Sequence, residues 1–338
     1  MQLCPFSIEM LVAPTIDIAD TSQPNNEPLS SLLPASYRTK WDDLAAGAQH
    51  VAACIEKELD LQRLNKFSGW LWVAGRPMPP RPLHHQLLLS REIFVTEQID
   101  VHLVWTTGRI FLKPLPRFLL DKRFWAQHLS CMQGCVCSGK VDLPNAHECE
   151  RRRLRKCALG FLFSYAALIT HESDFYIARA KHLLPPEVKW LHWRTFVEQL
   201  DTEHIYPKIN VRFLYGELRM SRLNLLLILH RSSIRGYMSR WQQYSSFFGD
   251  NLAVLVSGTV YIAIVLTAMQ VGLATKVLAE NDAFQSASYG FTVFAIVGPL
   301  TSAGFIVFIF CCIFINNWLV AVAYKRRRFR HLARPLEI

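Results

Sequence analysis

Charged side chains are missing from two long stretches of this 338-residue chain, 25 residues between Asp250 and Lys276 and 42 between Asp282 and Lys325. A surface helix of a soluble domain carries a polar face, whereas a hydrocarbon core is crossed by about 20 apolar residues. The segments from Leu252 to Ala274 and from Phe291 to Ile315, the second extending as far as Tyr324, are therefore read as two transmembrane helices. Basic residues are absent from the first dozen positions, MQLCPFSIEMLV, which excludes an ordinary secretory signal and keeps the N-terminus cytosolic. The nine cysteines are an odd set without regular spacing, so a disulfide scaffold is excluded and reduced thiols are expected. The nucleophile elbow GxSxG, the Walker phosphate loop and GxGxxG are all absent. No reaction is legible, and the expectation is a non-enzymatic, membrane-anchored interaction module without a cofactor.

What is present gives the outline of a fold. Hydrophobic residues make up 51% and charged ones 19%, which excludes a disordered chain. The expected class is α+β: a mostly helical cytosolic domain over 41–250 with a small β-hairpin or sheet, then a C-terminal two-helix transmembrane hairpin over 251–324. A flexible, Pro- and Ser-rich segment over 1–40 precedes it, and a basic tail over 325–338 follows. Within the domain, Leu44, Ala48, Val51, Ile55 and Leu59 recur at helical spacing, so residues 41–65 read as one amphipathic helix with Thr39 and Asp42 as its cap. GRPMPPRP at 75–82 breaks it off. IFV, VHLVW and RIFL over 93–112 read as strands, with Thr106, Thr107 and Gly108 as a hairpin turn. The 14 uncharged residues from Cys157 to Thr170 would make a helix of only about 21 Å, too short for a core of about 30 Å, so a buried or interfacial helix is preferred to a third span.

The formal charge is +10, and its distribution sets both orientation and partner. Arg219, Arg222, Arg231, Arg235 and Arg240 precede the first span with no acidic residue among them. Lys325, Arg326, Arg327 and Arg328 follow the second. Cations on both sides of the paired spans put both termini in the cytosol and suit a lipid bilayer with anionic headgroups. Trp190, Trp193 and Trp241 fit interfacial aromatics, so nucleic acid is not an expected partner. Protein partners, a second copy of the chain among them, are not identified by the sequence. An oligomeric channel is the alternative function and an enzyme at the membrane surface a further one.

Three small constellations bear on chemistry. Cys131, Cys135 and Cys137, with His147 and Cys149, offer soft donors suited to zinc, although their spacing is not that of a zinc finger. His171, Glu172 and Asp174 (HESD) lack the second histidine of HExxH, since Phe175 stands there, and read as a helix-end polar cluster. His84 and His85 follow a proline-rich turn without an evident partner. Gly298 with Ser302, and Ala268 with Gly272, are small pairs one turn apart that favour close helix packing within the membrane.

Several segments carry a resemblance: RIFLKPLPRFLL (109–120), HESDFYIA (171–178), FLYGELRMSRLNLL (213–226), LTAMQVGLAT (266–275) and YGFTVFAIVGPL (289–300). Over about residues 70–325 the chain resembles a fungal family of uncharacterised two-pass membrane proteins, a domain of unknown function. That resemblance implies a topology and no mechanism. Such families sometimes carry a subtilisin-like protease label, but no matching serine, histidine and aspartate segments occur here. The layout is also similar to CorA-type magnesium channels, whose Gly-Met-Asn signature is absent.

Overall fold

The computed structural model describes residues 4–11, 28–39, 41–131, 135, 149–231 and 244–333. The chain divides into two compact units, 1–238 and 239–338.

The first unit begins with a ribbon of β1 (Ser36–Arg38) and β2 (Leu44–Ala46), paired antiparallel. The single helix expected over 41–65 is therefore corrected. Thr39 Oγ1 accepts the amides of Trp41 and Asp43, and Asp42 takes the left-handed conformation with φ of 62°, so this local turn competes with helix formation. Helix starts only at α1 (Val51–Glu58), and α2 (Gln62–Asn65) restarts behind Asp60, whose carboxylate accepts the Gln62 amide. The expectation of a flexible 1–40 segment is likewise corrected where the chain is described. Phe6 and Met10 are buried in the core, Ser7 donates its amide to Gln199, and Leu29–Leu32 forms a 3-10 turn. Residues 12–27 lie outside the described ones.

After α3 (Leu71–Ala74) and the extended 76–82 connector come α4 (Leu83–Leu88), β3 (Glu92–Val95), β4 (Val104–Thr106), β5 (Arg109–Leu112), α5 (Lys122–Phe124), α6 (Glu150–Leu168), α7 (Glu172–Ala180), α8 (Trp190–Gln199), β6 (Leu218–Arg219) and α9 (Met220–Arg231). The second sheet has the order β3-β5-β4-β6. The expected hairpin is present: β4 and β5 pair antiparallel, and Gly108, at φ of 71°, supplies the backbone freedom their two-residue turn needs. Its first strand is shorter than VHLVW, because Ile99–Val101 is a 3-10 turn and Leu103 has φ of 60°.

The uncharged run from Cys157 to Ile169 belongs to the core, and Thr170 beyond it is exposed. Ala158, Phe161, Leu162, Tyr165 and Leu168 of α6 are buried completely. Gly160 admits Phe213, since a Cβ there would meet the Phe213 ring at 2.3 Å.

The second unit holds α10 (Tyr244–Leu273), the short α11 (Lys276–Ala279) and α12 (Asp282–Leu332). Asn281 caps α12 by accepting the Phe284 amide. Gly298 and Pro299 both lie inside α12, which also takes in Lys325 to Arg328. Among the described residues two helices are long and apolar enough to cross a membrane, Val254–Leu273 and Asp282–Leu332, and their most apolar stretches have no residue buried within the chain.

Candidate functional site

Among the described residues of the first unit, two side-chain clusters bring together metal-ligating residue types, His84 with His171 and Asp174, and Cys131 with Cys135 and Cys149. The first arises from the way α4 and α7 begin. Asp174, completely buried, accepts the His171 amide at 3.0 Å, the Thr170 amide at 3.3 Å and the Thr170 hydroxyl at 3.1 Å through Oδ2. Through Oδ1 it accepts the backbone amide of His84 at 2.7 Å and its ring Nδ1–H at 2.8 Å. One carboxylate thus caps two helices, using both oxygens. Burial raises the Asp174 pKa, but the His84 amide and ring, with His171 and Thr170, outweigh it and hold the carboxyl below its ordinary range.

With both oxygens saturated, Asp174 is an anchor rather than a metal ligand. Its chemical effect falls on His84, whose Nδ1–H is fixed and whose Nε2 is left as the acceptor. The His171 ring stands edge-on to His84 with centroids 5.4 Å apart. The HESD cluster is therefore a helix-end cap, as its position suggested. Its partner was not legible, because His84 lies 90 positions upstream.

The sulfur cluster sits where α6 begins. The Cys131 and Cys149 sulfurs are 3.5 Å apart, and the three donor atoms lie within 4.8 Å of one another. Cys149 caps the helix, its Sγ accepting the Arg152 amide at 3.4 Å. Arg151 donates to the carbonyls of Gln127 and Ser130, both at 3.2 Å, and so holds the chain before Cys131 against the start of α6. Cys137 and His147, also zinc candidates by sequence, lie outside the described residues.

Several interior polar groups were missed by sequence reasoning, among them the half-buried Glu217 and the buried His102. Glu217, beside β6, accepts Arg91 at 2.6 Å, Arg81 Nε at 2.8 Å and Gln86 at 2.7 Å. Burial raises the Glu217 pKa, but these donors overcome it and hold it at about 2. The cluster clamps the proline-rich connector onto the sheet edge.

His102 and Ser164 meet at 3.0 Å inside the core. This is not an activated serine. His102 Nδ1 accepts the Lys113 amide at 3.0 Å, so the ring proton is on Nε2 and is donated to the serine oxygen, while the serine donates to the Phe161 carbonyl at 2.6 Å. Burial, then the nearby Arg212 and Lys113, lowers the His102 pKa well below its usual value and keeps the ring neutral.

The expected lipid-facing cations divide in two. Arg219 is exposed but lies over the Trp105 ring at 5.3 Å, and Arg222 donates to the Val73 carbonyl at 3.1 Å, so both serve the folded domain. Arg231 ends α9, and Arg235 and Arg240 lie outside the described residues. Lys325, Arg326 and Arg327 are exposed on α12, with Arg328 half-buried.

The packing residues divide too. A Cβ at Gly272 would meet the Phe284 ring at 2.8 Å, so this glycine lets α12 approach α10. At Gly298 the nearest atoms belong to Phe294 of the same helix. Ser302 and Ala268 are exposed within this chain. The hydroxyls of Thr259, Thr267, Thr301 and Ser302 all bond carbonyls of their own helix.

The defining pattern of DUF6601, a family of unknown function, matches residues 51–299. The chain belongs to this family. The match takes in both metal-type clusters, the Glu217 clamp and α10, and ends inside α12 at Pro299. No curated protein and no solved structure matches the chain.

Proposed function

We propose that this DUF6601 protein is a two-pass membrane protein whose folded first unit works as a non-enzymatic interaction module at the cytosolic surface of an anionic bilayer. The observation that carries this reading is the exposure of α10 and α12. Val254, Val256, Val260, Ile264, Phe294, Ile296, Leu300, Phe305 and Phe308 are all exposed apolar side chains. Water leaves such a surface unsatisfied, and a lipid core does not. The eleven Leu, Ile and Val residues between Leu252 and Ala274 contribute about −3 to −6 kcal/mol to insertion.

Helix length defines the embedded part. The 42 uncharged residues before Lys325 would extend for about 63 Å, twice the hydrocarbon thickness. Polar residues bracket the shorter stretch that fits, with Gln285, Ser286 and Ser288 before it and Asn316 and Asn317 after it. Tyr289 and Trp318 stand at its two ends, as interfacial aromatics do. The 27 residues from Tyr289 to Ile315 make about 40 Å, a span with tilt. Asn316 to Tyr324 then lie in the headgroup layer, and Lys325 to Arg330 in the cytosol.

The self-bonded hydroxyls leave few polar groups to line an ion path, which favours an anchor over the CorA-like channel. The neutral His102, with both ring nitrogens engaged by Lys113 and Ser164, and the saturated Asp174 likewise favour binding over catalysis. Alkaline carbonate washing of membranes from cells expressing the full chain tests the reading. The protein is expected to stay in the pellet, and its release into the supernatant would rule out an inserted anchor.

A further inference from the structure

We infer that Cys131, Cys135 and Cys149 form a zinc site that fastens Cys131 and Cys135 to the start of α6. Zinc–thiolate bonds of about 2.3 Å in a tetrahedron place sulfurs about 3.8 Å apart. The three donors here already lie within 4.8 Å of one another, with one pair at 3.5 Å, so a shift of less than about 1 Å brings them onto one ion. Thiolates are the donors that select zinc among the common divalent ions.

The surroundings suit the charge such a site carries. Three thiolates and one Zn2+ sum to −1, and the cluster sits at the N-terminus of a 19-residue helix, with Arg152 donating its amide to Cys149. Arg155, within electrostatic reach of Cys131, adds a cation. The frame does not depend on the metal, because Arg151 already ties residues 127 and 130 to the helix start. All three cysteines are half-buried, and a fourth donor or a water would complete the tetrahedron. The alternative use of the same sulfurs, a Cys131–Cys149 disulfide, would consume two of the ligands.

The test uses the full chain, purified in detergent under reducing, chelator-free conditions. Elemental analysis is expected to find about one zinc per chain. Cobalt exchanged into the site should give the intense d–d bands of a tetrahedral ion and a thiolate-to-cobalt charge-transfer band. Cys131→Ser, Cys135→Ser and Cys149→Ser should each abolish both signals, while Cys311→Ser keeps them. Should those variants fold poorly, the wild-type protein decides alone. Alkylation mapped by mass spectrometry should find these three thiols protected until a zinc chelator is added, whereas the extent of Cys311 labelling is the same with and without it. Less than about a tenth of a zinc per chain without cobalt bands, alkylation of the three thiols that ignores the chelator, or a Cys131–Cys149 disulfide in the reduced preparation would each overturn the proposal.

Discussion

Helices α6 and α10 look alike as sequence and end in opposite surroundings. Both contain uncharged apolar runs without a polar face, yet α6 is enclosed by the first unit while the apolar surface of α10 stays exposed. The difference lies in length and in neighbours. Fourteen residues cannot cross a bilayer, but they fill the centre of a domain whose other elements supply matching faces, such as Phe213 against Gly160. Within the second unit the longer α10 packs beside α12, and α12 exposes its own apolar side chains. An all-round apolar helix therefore reports burial, and the partners within reach decide whether protein or lipid provides it.

The sharpest way to break this comparison is to cut the same ring from α6 and from the exposed pair of long helices. Phe161→Ala in α6 should destabilise the first unit by about 3 to 5 kcal/mol, because the vacated volume is enclosed on all sides. Phe308→Ala in α12, a position 63% exposed, should leave that unit unchanged. Urea unfolding of the detergent-solubilised chain, followed by tryptophan fluorescence, separates the two results.

Next in size is the buried charge cluster, which belongs to the protein-enclosed side of the comparison. Glu217→Ala leaves Arg81 and Arg91 without their carboxylate and should cost about 3 kcal/mol. The pH dependence follows from the depressed carboxyls. Glu217, held at about 2 against an ordinary 4.5, and Asp174, held below its ordinary range, give stability that is complete above pH 4.5 and lost as pH falls toward about 2. The acid limb of the stability profile should flatten in Glu217→Ala.

Asp174→Asn should cost about 2 kcal/mol, since one residue caps two helices. Its mark is local: hydrogen exchange should quicken at the His84 and His171 amides while α10 stays unaffected.

The smallest effect concerns the headgroup layer. Removing one cation, as in Arg327→Gln, should reduce the enrichment of phosphatidylserine around the full chain in mixed-lipid nanodiscs by about fivefold at most, or about 1 kcal/mol. Arg222→Gln should leave lipid enrichment unchanged, because that side chain serves the Val73 carbonyl.

Much of this organisation was legible in the sequence. The hairpin at Gly108, the core placement of 157–168 and both long apolar helices follow from turn chemistry, length and charge. The 41–65 segment misled, because apolar spacing is the same whether or not Thr39 and Asp42 turn the chain, and side-chain hydrogen bonds to local amides decided the matter. The polar centres were illegible for a different reason. Asp174 meets His84 across 90 positions and Glu217 meets Arg91 across 126, and no local pattern marks such pairs. The sulfur cluster was visible as residue types, and only the fold shows that Cys149 caps a helix beside Cys131.

The central claim, that α10 and α12 cross a bilayer with both ends of the chain in the cytosol, is tested most directly by topology mapping of the full chain. Tags at residues 1 and 338 should both be digested by protease added to cytosol-side-out vesicles, and a glycosylation cassette inserted between Glu280 and Asn281 should be modified. Protection of either tag, or an unmodified cassette on a chain whose tags are both digested, would contradict the account.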